Sequence, residues 1–167
     1  IVDLKRGDWH VNLNDDTTAE IDKNDFSFVE NGEKKTFDYA YITIHGTPGE
    51  NGQLQGYFDL IGLPYSTSGV LVEALTFDKF VLNNYLRAFG ISVAESVLVR
   101  KGDEASITDE KIKATVGYPC FVKPAADGSS FGVSKVKEFS EMQKALDLAF
   151  GQSDMVMIEG FLEGMEI

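Results

Sequence analysis

The chain has 167 residues, 43% of them hydrophobic, which is enough for one ordinary core or for two small lobes. Acidic side chains number 27 against 15 basic ones, for a net charge of −12. A polynucleotide partner needs a basic surface, so nucleic acid binding is disfavoured, and no apolar run reaches the length of a bilayer span.

The same acidity would repel an anionic substrate, so a phosphate site would have to be built locally from lysines and backbone N–H groups. The single cysteine, Cys120, rules out an intramolecular disulfide and fits a reducing cytoplasm. Within the apolar run YPCFVK it reads as a small buried hydrophobe. The start carries no signal-peptide pattern. The opening IVDL, without Met, and the closing EGMEI both read as extended stretches cut from something longer.

Through about Phe37, short apolar runs alternate with polar turns such as Asn14-Asp15-Asp16 and Asn31-Gly32, a pattern of strands or hairpins. DYAYITIHG (38–46) is a near-continuous aromatic and β-branched run, which predicts a strand buried on both faces of a parallel sheet. GTPGENG then makes a glycine-rich turn, QLQGYFDLIGL a short helix and LPYSTSG a strand and loop, together a βαβ unit. From Thr76, TFDKFVLNNYLRAFG sets Phe77, Val81, Leu82, Tyr85, Leu86 and Phe89 on one side at helical spacing. Thr76 stands as its N-cap and Gly90 as its C′ glycine. VAESVLVR reads as a strand, DEKIKATVG as a short helix and YPCFVKP as a strand. Near 139–151 Ser140 and Gln143 form a capping box, Met142, Ala145, Leu146, Ala149 and Phe150 an apolar stripe, and Gly151 the stop. DMVMIEGFL is the last strand, and a lobe boundary is expected near residue 75, dividing 1–75 from 76–167.

Three segments stand out for chemistry. In FVKPAADGSSFGVSKV (121–136) a strand delivers Lys123 to a loop holding Gly128, Ser129, Ser130 and Gly132, and a second strand leaves. Successive N–H groups in such a loop can wrap phosphate oxygens, with Lys123 adding a point charge. The same residues also suit a plain hairpin with a solvated lysine. GSSFGVSK lacks Walker A spacing. In MIEGFLEGMEI, Glu159 and Glu166 flank Phe161 and Leu162. An extended backbone there could pair with the edge of a base and a carboxylate could accept from ribose hydroxyls; the alternative is a strand end with two solvated acids. In IHGTPGENGQLQG, His45 ends the predicted strand, where ligands bind in open α/β sheets, although a lone histidine there is more often structural. Lys79, one turn into the 76–89 helix, reads by itself as a surface lysine, and His10 has no supporting context.

Taken in order from about Asp38 to Ile167, these segments resemble the D-alanine–D-alanine ligases of the ATP-grasp superfamily. HGTPGENGQLQG, TFDK, FVKPAADGSSFGVSKV and IEGFLEGMEI each look like the family's stretch of the same shape. The resemblance implies an α/β fold, with a partial Rossmann-like N-terminal lobe and an α+β central ATP-grasp lobe. It implies ADP-forming ligation of two D-alanines through an acyl phosphate, for peptidoglycan synthesis in the cytoplasm, by a homodimer using ATP and Mg2+. Lys79 and Lys123 would neutralise ATP phosphates. Ser129 and Ser130 would lie in the loop that closes over them, with Ser129 near the substrate. Glu159, Phe161 and Leu162 would frame the adenine, Glu166 would take the ribose hydroxyls, and His45 would sit near the first D-alanine. The family's first glycine-rich loop would precede Ile1. Its arginine, magnesium ligands and second-substrate loop would follow Ile167, so no metal ligand is expected within the chain. D-Ala–D-lactate or D-Ala–D-Ser ligation, and a non-catalytic nucleotide-binding module, are the rival readings.

Overall fold

In the computed structural model, which describes residues 1–5, 7–14, 17–126 and 131–164, the N-terminal stretch is antiparallel. β1 (Val2–Lys5), β2 (Asp8–Asn14) and β3 (Thr17–Glu20) form one sheet in that order, and β4 (Phe28–Glu30) pairs with β5 (Glu33–Lys35) across the turn at Asn31-Gly32. These are the strands and hairpins that the alternating runs predict. Val11, Ile21, Phe26, Leu54 and Phe58 form the core beneath them, with the Trp9 ring edge-on to Tyr57. Two of those core residues come from α1 (Gln53–Ile61), the helix expected from QLQGYFDLIGL.

Residues 38–46 depart from expectation. They are extended, but their ladder is reduced to a single parallel bridge, Ala40 to Tyr65. Ala40, Ile42 and Ile44 pack on the N-terminal core, whereas Tyr39 and Tyr41 on the other side are 55% and 79% exposed. The run is therefore covered on one face only. The parallel sense of the one bridge is what a βαβ unit requires, but among the described residues the remaining backbone groups find no strand to pair with.

The helix predicted over 76–89 begins later than expected, and a further helix that the sequence reading did not predict precedes it. α2 (Val70–Phe77) ends before Asp78 and α3 (Lys79–Ala88) begins after it. Thr76 does not cap: its hydroxyl donates back to the Val72 carbonyl at 2.8 Å. Asp78 is the N-cap, its carboxylate accepting from Phe80 N and Val81 N at 3.0 Å each. A carboxylate close to its own backbone offers the chain an alternative to continuous helix, and the break falls there. Gly90 does occupy the left-handed position after α3. The predicted apolar stripe is only partly used, since Val81, Tyr85 and Phe89 are exposed.

The second half is built on a four-stranded antiparallel sheet of order β6-β9-β7-β8, from β6 (Ser96–Arg100), β7 (Cys120–Pro124), β8 (Ser134–Val136) and β9 (Met155–Gly160). α4 (Asp109–Thr115) and α5 (Met142–Phe150) join its core. All five stripe residues of α5 are buried, as their spacing predicts. The capping box is not formed: Ser140 lies in a 3-10 turn and its hydroxyl donates to Glu138. Gly151 stops the helix in a right-handed rather than left-handed conformation. Cys120 is fully buried in this core. No helix among the described residues is long and apolar enough to cross a membrane.

Candidate functional site

Strand β7 has two faces. Cys120, Val122 and Pro124 are buried on the α5 side, so the pleat turns Phe121 and Lys123 to the opposite side. Residues directly across an antiparallel pair share a face. The β7–β9 register sets Glu159 across from Phe121 and Met157 across from Lys123, and the β7–β8 register sets Lys135 across from Phe121. One sheet face thus gathers two lysines, an aromatic ring and a carboxylate.

Helix α3 is attached to this face at its first turn. Lys79 N–H donates to the Ala125 carbonyl at 2.8 Å, and Asp78 bridges to Ala126. The Asp78 break therefore brings Lys79 to the end of the strand that carries Lys123. Both lysines line a cavity of about 340 Å³ with Phe121, Pro124, Phe131, Val133 and Glu159. Phe121 and Glu159 also wall a neighbouring cavity of about 410 Å³, lined further by Asn83, Ala94, Phe161 and Leu162.

The charges in this site are arranged closely. Lys123 Nζ lies 2.5 Å from Glu159 Oε2, and the two side chains are only 20% and 16% exposed. Glu159 Oε1 accepts from Asn83 Nδ2 at 2.9 Å. Beside them the Phe121 and Phe161 rings stand 6.0 Å apart, and Lys135 Nζ sits 4.0 Å above the Phe161 ring. A desolvated ion pair gains little net stability, because desolvation offsets attraction. A carboxylate, ammonium groups and flat apolar surfaces that converge in this way suit a ligand with a ring, hydrogen-bond donors and anionic groups.

The predicted site residues divide. Lys79, Lys123, Glu159, Phe161 and Leu162 are together on this face. Ser129, Ser130 and Glu166 lie outside the described residues. His45 does not line either cavity. It is not at the end of a buried strand, as expected, but on an open extended segment, with its side chain 91% exposed. Its Nδ1 is 3.7 Å from Glu50 Oε1, and Glu50 Oε2 accepts from Gly46 N at 2.5 Å. This loop packs tightly: a Cβ at Gly49 would overlap the Ile44 carbonyl oxygen, and one at Gly52 would come within 2.8 Å of Val70 O. Buried Gln55 ties it to the next loop, donating to Gly49 O at 2.7 Å and to Thr67 Oγ1 at 2.9 Å.

Sequence reasoning missed Phe121, Lys135, Asn83 and Glu50. Phe121 could have been found by stepping two residues from Lys123. Asn83 follows Lys79 by four, one helical turn along the same face. Lys135 needs the strand register, and nothing in the sequence points to Glu50. Among the described residues no group of three His, Cys, Asp or Glu side chains comes together to hold a metal.

The sequence model described as "D-ala D-ala ligase C-terminus" matches residues 85–167. The chain is 60% identical over 167 residues to the D-alanine–D-alanine ligase of Phocaeicola vulgatus, covering all of this chain and 51% of that protein. It is 55% identical over 164 residues to that of Parabacteroides distasonis, covering 98% and 49%. The chain thus spans about half the length of the curated relatives it matches. Among solved structures, the VanG D-Ala:D-Ser ligase of Enterococcus faecalis superposes with a TM-score of 0.84 at 29% identity, over 98% of this chain and 52% of that one. The D-alanyl-alanine synthetase A of Vibrio cholerae gives 0.80 at 28%, over 97% and 48%.

Proposed function

The chain belongs to the D-alanine–D-alanine ligase family, of ATP-grasp fold, and we propose that it carries the nucleotide half of an ATP-dependent ligase joining two D-alanines. The observation that supports this most is the shared cavity: Lys79, Lys123 and Glu159, drawn from a helix and two strands, line one space with Phe121. Lys79 and Lys123 supply positive charge for ATP phosphates, which an acidic chain must provide locally. Glu159, Phe161 and Leu162 frame the adenine, Glu166 takes the ribose hydroxyls, and Ser129 and Ser130 close over the phosphates. His45 lies near the first D-alanine. The lobes divide near residue 75, and the N-terminal and sheet cores fall on either side of that point.

In the reaction, the γ-phosphoryl group moves to the carboxylate of one D-alanine, and the amine of the second attacks the acyl phosphate and releases phosphate. Phosphoryl transfer is catalysed mainly by positioning and charge neutralisation, which lysines and backbone amides can deliver. On this proposal ATP binds with magnesium, whose charge would add to that of the lysines in neutralising the phosphates. Peptidoglycan synthesis in the cytoplasm, by a homodimer, completes the reading.

Relatives named D-alanine–D-alanine ligase at 46–60% identity favour D-alanine as second substrate over D-lactate or D-serine. The test is a product assay on the complete protein. D-alanine should drive phosphate release from ATP and yield D-alanyl-D-alanine. Phosphate release indifferent to D-alanine would leave only a nucleotide-binding module.

A further inference from the structure

Glu159 is held from two sides, and the two holds are unequal in rigidity. Lys123 Nζ reaches Oε2 on a flexible four-carbon stem, which can follow the carboxylate as it rotates. Asn83 reaches Oε1 from helix α3, which is tied down at both ends. Its first turn is fastened to the end of β7 through Lys79 N–H and Ala125 O. Its last turn is fastened by Arg87, whose guanidinium donates to the Ala94 carbonyl at 3.0 Å. Ala94 lines the same 410 Å³ cavity as Asn83, Glu159, Phe161 and Leu162. Ser96, directly across from Glu159 on β6, has a buried hydroxyl with no hydrogen-bond partner, so it makes no hydrogen bond to the carboxylate. Among the described residues Asn83 is the one neutral donor to Glu159, and it anchors the group without cancelling its charge.

We propose that Asn83 is a positioning residue that fixes the Glu159 carboxylate toward the base and so sets the choice of purine. This rests on reading the Glu159–Leu162 face as the base site. An amino group at the 6-position of a purine donates to a carboxylate, whereas a 6-oxo group presents an acceptor to it. A carboxylate free to swing toward Lys123 would tolerate either. One pinned by Asn83 accepts the amine and repels the oxygen, because an unpaired or like-charged contact is costly in a sheltered site.

The experiment compares kcat/KM for ATP and for ITP, at saturating D-alanine, in the complete wild-type protein and in Asn83→Ala and Asn83→Asp. The wild type should prefer ATP. In Asn83→Ala the ATP:ITP ratio should fall by about tenfold, the loss of one charge-assisted hydrogen bond. Asn83→Asp places a second carboxylate against Glu159 and should lower the ratio at least as far. In Asn83→Ala the KM for D-alanine should stay at its wild-type value, which a general loosening of the fold would not predict. An unchanged ratio, an equal loss for both nucleotides, or a wild type indifferent to the 6-substituent would each overturn the proposal. A wild type without ATP-dependent phosphate release would instead sink the reading of the site itself, before any variant is compared.

Discussion

Lys123 and Cys120 belong to the same five-residue strand, yet they lie on opposite faces of it. The apolar run YPCFVK carried the prediction that Cys120 would be buried, and it is, while the turn of Lys123 to the other face comes from the pleat of the strand. What the sequence did not carry was the carboxylate that Lys123 meets. Glu159 is 36 residues further on, and only the β7–β9 register brings the two to 2.5 Å. In the complete protein, Lys123→Ala should weaken ATP binding at least tenfold, roughly the 1.4 kcal/mol of a lost charge-assisted contact. Calorimetric titration with ATP measures this. A folded variant that binds ATP as tightly as the wild type would reduce Lys123 to an ion-pair partner of Glu159.

At the scale of elements, α3 depends on its first residue pair. Asp78 caps it with two hydrogen bonds, and the same turn attaches Lys79 to β7. Asp78→Ala should cost about 1 kcal/mol of stability, while Asp78→Asn, which keeps the acceptor oxygen, should cost a few tenths. Urea titration of both variants checks this, and equal losses would show that the cap is not what the aspartate provides. Helical periodicity ran straight through this position, because Phe77, Val81 and Leu82 keep their spacing whether or not the helix is continuous. A cap that interrupts a periodic pattern leaves no mark on the pattern. The α5 stripe was legible because all of its apolar residues are spent on one core. Residues 38–46 misled for the opposite reason. An aromatic and β-branched run states a preference for extended backbone, but pairing and cover on both faces are supplied by other segments.

Across the whole molecule, two cores carry the chain, and the site face belongs to the second of them. That core has a dependence on alkaline pH. Burial raises the Cys120 thiol from an ordinary 9.0 to about 11. Burial, helped by the hydrogen bond to Asp109, raises the Tyr118 hydroxyl from 10.0 to about 12. Both groups are neutral when protonated, and the folded state holds their protons more tightly than the unfolded chain. Their contribution is complete below pH 9 and is lost as pH rises through about 11 for Cys120 and about 12 for Tyr118. Urea midpoints measured between pH 8 and 12 should fall accordingly, and Cys120→Ala should fall less than the wild type between pH 9 and 11. Parallel curves for the two proteins would exclude the thiol as a cause.

The most direct test of the proposed nucleotide site is hydrogen–deuterium exchange on the complete protein, with and without a non-hydrolysable ATP analogue. Protection should appear in residues 121–123, 131–135 and 159–162, the strands and hinge that wall the two adjoining cavities. Residues 39–44, which line an apolar cavity of about 380 Å³ on the N-terminal core, should exchange as before. Protection centred on 39–44, or none on the sheet face of Lys123 and Glu159, would contradict the assignment of that face to ATP.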